Sequence, residues 1–225
     1  MKQITSLTGH IGEKNIYQDS HPILMEIDAD LAELTGILLG DGSINVYPKI
    51  NHYRLKITLN SNENEYADYI QELFKRIFDK RLSLKFRANE NTLDLFCFKR
   101  ELIRELIILG FVTSPKWNRA RIPKQFMNKV LGKYVLRGYF DTDGCVAIVN
   151  NNGTRYPRLE MKIMPSPMKE QFLKLLDLYG FKYGVYEIGR GEARIQMNGK
   201  KQLEKWKKEI GFSNIKDNWV QKSKI

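Results

Sequence analysis

The sequence predicts an α+β protein made of two copies of one αββαββα unit, and three observations carry that assignment. Two apolar stretches, Leu34-Thr35-Gly36-Ile37-Leu38-Leu39-Gly40-Asp41-Gly42 and Leu136-Arg137-Gly138-Tyr139-Phe140-Asp141-Thr142-Asp143-Gly144, share small residues four apart and an acid–glycine ending. The shift between them persists along the chain: Gly138 follows Gly36 by 102 residues, Asp143 follows Asp41 by 102, and Gly211-Phe212 follows Gly110-Phe111 by 101. Between these landmarks the hydrophobic period alternates between helical and strand-like in the same order in both halves. A near-constant shift over this much chain means a duplicated unit. Packed through their apolar helices, two copies form a pseudo-dimer about an approximate two-fold axis within a single monomeric chain.

Residues 1–27 show no clear period and read as an N-terminal extension. The first repeat spans 28–111. Its opening helix is expected to begin at Asp30, capping its own N-terminus with Glu33 in capping-box register, and to run to Asp41. Beyond Gly42 the period becomes two. Ser43, Asn45, Tyr47 and Lys49 fall on one side of a strand, and after the turn Asn51-His52 the residues Arg54, Lys56 and Thr58 alternate with Leu55, Ile57 and Leu59. A helix over 63–78 carries Tyr66, Ile70, Leu73 and Phe74 at helical spacing. Strands over 81–88 and 92–98 follow, the first alternating Lys85 and Arg87 with Leu84 and Phe86, and a helix over 100–109 ends at Gly110. Residues 112–128, holding Pro115 and Pro123, read as the linker, and the same order of elements then fills 129–225.

The chain has 37 Lys and Arg against 26 Asp and Glu, for a net charge of +11 and a pI near 9.5. That balance favours a polyanionic partner, most simply nucleic acid. Cys97 and Cys145 are far apart, without metal-ligand spacing, and fit a reducing compartment. No apolar run is long enough to span a bilayer, so the expectation is an intracellular protein with access to DNA and no membrane partner.

The paired acid–glycine endings carry the chemistry. Small residues four apart lie on one helical face, so Gly36, Gly40, Gly138 and Thr142 are the expected contact between the two apolar helices. The glycine after each acid is expected just past a helix C-terminus, in a left-handed conformation. Asp41 and Asp143 then meet at two negative helix ends, where a cation is wanted. Two carboxylates beside exposed carbonyls suit Mg²⁺, which keeps waters for substrate phosphate. The polar strand faces supply a second feature, because a basic two-stranded ribbon fits the major groove of B-DNA. The expected DNA-contacting residues are Asn45, Tyr47, Lys49, Arg54, Lys56, Thr58, Lys85 and Arg87 in the first half. Those of the second are Asn151, Arg158, Glu160, Lys162, Arg190, Arg194 and Gln196.

The two nonapeptides resemble the paired signature of the LAGLIDADG homing endonucleases. Leu34, Gly36, Asp41 and Gly42 match in the first copy, and Leu136, Gly138, Asp141, Asp143 and Gly144 in the second; Leu39 stands where the motif's first acid would be. The resemblance implies a saddle with antiparallel DNA-binding sheets and metal-dependent hydrolysis of both strands of a long asymmetric site, leaving short 3′ overhangs. It implies Mg²⁺, with Mn²⁺ able to substitute, held by Asp41 and Asp143 with the carbonyls of Gly40 and Thr142. It also implies a basic catalytic residue in each half. Arg121 with Lys224 is the first choice, and Arg119 with Lys222, or Lys116 with Lys216, stay open. Two other roles are known on this fold: an intron RNA-splicing maturase, with intron RNA as partner, and a DNA-binding regulator that does not cut.

Overall fold

The computed structural model describes residues 25–214. The N-terminal extension up to residue 24 and the candidate cations Lys216, Lys222 and Lys224 lie outside the described residues. The first repeat comprises helix α1 (Ala29–Leu39), strands β1 (Gly42–Tyr47) and β2 (His52–Asn60), helix α2 (Asn64–Phe78), strands β3 (Ser83–Arg87) and β4 (Thr92–Cys97), and helix α3 (Arg100–Ile108). The second comprises α4 (Gly132–Asp143), β5 (Gly144–Asn151), β6 (Thr154–Ile163), α5 (Met168–Leu178), β7 (Gly184–Glu187), β8 (Ala193–Asn198) and α6 (Lys200–Glu209). Each half forms one antiparallel sheet, in the order β1-β2-β4-β3 and β5-β6-β8-β7.

The signature helix starts two residues earlier than its capping pattern suggests. Asp28 is the N-cap, accepting a 2.8 Å hydrogen bond from the Leu31 amide, an arrangement typically worth about 1 kcal/mol. Asp30 instead pairs with Arg76 on α2, and Glu33, assigned from sequence to a capping box, is fully buried and ion-paired with Arg137 of α4. Residues 31–39 of α1 are all buried, as a largely apolar helix in water requires, and its polar members are satisfied: Glu33 by Arg137 and Thr35 by donating to Leu31 O.

Hairpin turns use residues that tolerate a left-handed backbone. Asn51, Asn91 and Asn152 have φ near +48°, which asparagine accepts more readily than branched residues do. Lys49 falls in the 3₁₀ turn Pro48–Ile50 and not on the strand, and Arg190 sits in the β7–β8 turn with φ +54°; both are exposed. Within each sheet the period-two pattern sorts the side chains. Leu55, Ile57 and Leu59 on β2 and Leu93 and Leu95 on β4 are buried against the helices, as are Leu159, Met161 and Ile163 on β6 and Ile195 and Met197 on β8. The polar residues between them form the opposite faces.

Residues 112–128, expected to be a linker, are packed between the repeats. Ala120, Ile122 and Phe126 are buried. The Ser114 amide donates to Ile44 O of β1 at 2.7 Å, while Ile122 exchanges two hydrogen bonds with the Gln171 amide group on α5. The segment thus ties the first sheet to the second half and delivers its own side chains to the place where α1 and α4 end.

Candidate active site

Helices α1 and α4 touch backbone to backbone. A Cβ at Gly36 would stand 2.3 Å from Val135 O, and one at Gly138 would stand 2.2 Å from Glu33 O. Nothing larger than hydrogen fits at either place. At the helix ends a Cβ at Gly40 would lie 2.0 Å from Thr142 Oγ1 and 2.9 Å from Asp143 Oδ2, so the Asp143 carboxylate rests against the Gly40 backbone. Thr142 is accommodated because its hydroxyl turns back to donate to Tyr139 O at 2.9 Å. The glycines after the acids are not left-handed. Gly42 and Gly144 have ordinary backbone angles, and Gly144 is extended at φ −101°, ψ 162°. Their small size serves instead to let each strand leave its helix sharply. A Cβ at Gly42 would stand 2.5 Å from Leu38 Cα, and one at Gly144 2.4 Å from Phe140 O.

Asp41 and Asp143 are half-buried at this junction. Lys116, from the inter-repeat segment, lies beside them. Its ammonium donates to Leu38 O, Leu39 O and Gly40 O at 3.0, 2.7 and 2.7 Å, closing the negative end of α1. Burial pushes the Lys116 ammonium down to about 8, opposed by the attraction of Asp143 and Asp41. Arg121, the first choice from sequence, is exposed. It lines a crevice with Lys116, Leu38, Leu39 and Phe111, but the hydrogen bonds to the end of α1 come from Lys116. The distinction was invisible in sequence because both residues are cations in one proline-bounded segment. Only the folded path of the chain separates them.

No cluster of three or more His, Cys, Asp or Glu side chains suited to a metal occurs among the described residues. The site is a two-carboxylate one. The Asp143 carboxylate lies against the Gly40 backbone, which no Cβ could approach, with Asp41 next in the chain, and two carboxylates at the ends of adjoining helices fit a hard divalent cation retaining most of its waters.

The sheet faces away from the helices carry the other candidate residues. Strand pairing places Asn45 beside Arg54, Ser43 beside Lys56, Thr58 beside Asp94, and Lys85 on the far side of Asp94. In the second sheet Glu160 lies between Cys145 and Gln196, and Lys162 beside Arg194, with Asn151 at the exposed end of β5. Tyr47 and Tyr186 project from the same faces and are about half exposed.

The family model described as the LAGLIDADG DNA endonuclease family matches residues 32–203. The chain belongs to that family. The matched span runs from α1 into α6, so it includes both signature helices and both sheets of the LAGLIDADG fold. The DNA polymerase of Methanocaldococcus jannaschii is 28% identical over 173 residues, covering 69% of this chain and 9% of the polymerase. That of Thermococcus kodakarensis is 26% identical over 213 residues, covering 83% and 11%. The chain thus spans about a tenth of the length of these curated relatives. Among solved structures, the homing endonuclease I-WcaI bound to its DNA recognition sequence superposes with a TM-score of 0.61 at 16% identity, covering 87% of this chain and 85% of that one. I-DmoI in complex with DNA and Mn gives 0.57 at 14% identity, covering 81% and 96%. Both share the LAGLIDADG fold with this chain.

The motif's first acid has a structural task in this LAGLIDADG chain. Asp141 is fully buried on α4, and its Oδ2 accepts from the Ser213 and Asn214 amides at 2.8 and 3.2 Å, while the Asn214 side chain donates to Asp141 O. Ser213 also donates to Glu33, which receives Tyr69 and Arg137 as well. This network binds α1, α2, α4 and the chain after α6. The first repeat has Leu39 where the second has Asp141, and that leucine is simply buried. Burial pushes the Asp141 carboxyl up to about 7, opposed by the Ser213 and Asn214 amides. A carboxyl raised above its ordinary 3.8 contributes stability that is complete below about pH 4 and lost as pH rises through about 7. In a chelating buffer the thermal midpoint should therefore fall between pH 5 and 7 and level off above, in a manner that Asp141→Asn largely removes. The expected difference is on the order of 3 kcal/mol, because each tenfold drop in proton concentration across this window is worth about 1.4 kcal/mol. Parallel midpoint–pH curves for parent and variant would contradict it.

Proposed function

We propose that this chain is a metal-dependent, site-specific endonuclease that cuts both strands of a long, asymmetric DNA target. The observation that carries the reading is the placement of Asp41 and Asp143 at the ends of two helices in contact through Gly40 and Thr142, with the Lys116 ammonium near both. Two carboxylates on a near-symmetric axis suit two scissile phosphates on opposite strands. Asp41 and Asp143, with the carbonyl of Thr142, would hold Mg²⁺ or Mn²⁺; the Gly40 carbonyl, expected from sequence to join them, already accepts from Lys116. When bound, the metal supplies an activated water and charge stabilisation at phosphorus. Lys116 offers a fixed positive charge for the phosphate as negative charge develops. The polar sheet faces would follow the duplex on either side, and a net charge of +11 strengthens their hold on phosphates. Cleavage across the minor groove to short 3′ overhangs, action as a monomer, and residence in a mobile intron belong to the same proposal.

Selection of cleaved or bound duplexes from randomised DNA with Mg²⁺ tests it. Recovery of one long, imperfectly palindromic target that the protein linearises in a plasmid is the expected result. Preferential, target-independent binding to intron RNA would point to a maturase, and tight target binding without cleavage in Mg²⁺ or Mn²⁺ to a regulator. Lys116→Met should lower the cleavage rate at saturating protein by at least about a hundredfold while changing target affinity less than tenfold, the scale of losing one pre-organised charge at the transition state. Lys116→Arg should recover part of the rate. An unaltered rate in Lys116→Met would remove Lys116 from the site.

A further inference from the structure

The strand registers bring the two sheets into correspondence and expose a reversal of charge. Gly42 pairs with Ile57 and Gly144 with Met161, so Lys56 and Glu160 occupy the same place, opposite Ser43 and Cys145. One strand over, Ile57 pairs with Leu95 and Met161 with Ile195, so Asp94 and Arg194 also correspond. Both sheets therefore contain the same diagonal ion pair with opposite polarity. Lys56 Nζ lies 3.7 Å from Asp94 Oδ1 in the first, and Arg194 Nε lies 3.5 Å from Glu160 Oε2 in the second.

The two acids are buried although they belong to the polar faces, Asp94 being 3% exposed and Glu160 9%. Each gathers donors. Asp94 accepts from Thr58 Oγ1 at 2.7 Å and from Arg87 Nη2 at 3.4 Å, with Arg87 Nε 2.8 Å away in an ion pair; Glu160 pairs with Arg158 and Arg194 and accepts from the Gln196 amide at 3.4 Å. Negative charge at the centre of a phosphate-binding face opposes non-specific attraction. What it provides in exchange is order: a carboxylate holds a guanidinium fork in one direction, and a flexible cation becomes a fixed donor.

We propose that Asp94 and Glu160 are positioning residues that set base discrimination, each holding the donors of its own sheet toward the groove. The inference rests on the reading that these faces bind duplex DNA. The reversed polarity places the cation of the diagonal pair on β2 in one half and on β8 in the other, so the two half-sites are read differently.

The test uses the full chain and its selected target. Affinities for the target, its single-base variants and an unrelated duplex are measured over a salt series for the parent, D94N, E160Q and R87K, with melting midpoints as a folding control. D94N and E160Q should each bind the unrelated duplex severalfold more tightly, lose at least tenfold in discrimination at base pairs confined to one half-site, and show a steeper salt dependence. R87K keeps its charge but loses the fork, so it should lose discrimination in the first half-site without tighter non-specific binding. A purely structural role would lower the melting midpoint and leave the base profile of the folded protein unchanged. That profile, unchanged in all three variants while the parent binds its target specifically, overturns this inference alone. A parent that binds no duplex overturns the functional reading with it.

Discussion

Asp143→Asn, and separately Asp41→Asn, should reduce double-strand cleavage of the selected target by at least about a thousandfold while target affinity changes less than tenfold. Asparagine keeps the shape of the side chain that rests against Gly40, so the contact between the helix ends survives. The charge does not. One of two carboxylates able to hold a divalent cation becomes neutral, and the activation of water and the stabilisation of the leaving oxygen weaken together, each on the scale of about 10²–10³. Folding stability should change little, because the carboxylate removed from beside a second acid also attracted the buried Lys116 ammonium, and the two effects oppose each other. Plasmid assays that resolve supercoiled, nicked and linear forms read the result directly. Residual nicking in either variant would assign that acid to one strand. Full linearisation by both would remove the paired carboxylates from the mechanism.

Gly138→Ala should destabilise the protein by about 3 kcal/mol or more, and Gly36→Ala by a similar amount. The added methyl at 138 would stand 2.2 Å from the Glu33 carbonyl oxygen, and at 36 it would stand 2.3 Å from that of Val135. Those neighbours are helix backbone and cannot rotate away, so α1 and α4 must separate, placing the cost at or beyond the upper end of ordinary overpacking. Separation also pulls Asp41 from Asp143, so cleavage should fall further than the folded fraction does. Gly153→Ala supplies the contrast. It has φ +84° but open space around the position of a Cβ, so its cost is the backbone strain alone, about 1 kcal/mol. Denaturant midpoints for the three variants measure the difference. Similar losses in all three would mean that α1 and α4 yield, and that close approach does not specify their packing.

Much of this architecture is written locally. The duplication, the alternation of helix with hairpin and the two acid–glycine endings are patterns of residue type and spacing, and period-two burial follows directly from which strand residues are apolar. Asn45, Arg54, Lys56 and Thr58 could be assigned to one face for that reason. The cap at Asp28 was not legible because Asp28 and Asp30 are equally suitable in type. The choice between them turns on Arg76, 46 residues away, which takes Asp30.

The chain by itself determined two repeats, two basic sheets and two acids at helix ends, because each is a short-range consequence of period, charge and small side chains. Tertiary structure alone decided which cation serves the acids, what the extra acid of the second signature does, and how the ion pairs of the two sheets differ. Lys116 reaches the end of α1 across about eighty residues of sequence, Asp141 anchors Ser213 from 72 residues away, and Asp94 meets Thr58 through strand pairing. Such contacts depend on how separate segments are brought together in space, and residue type along the chain holds no record of that distance.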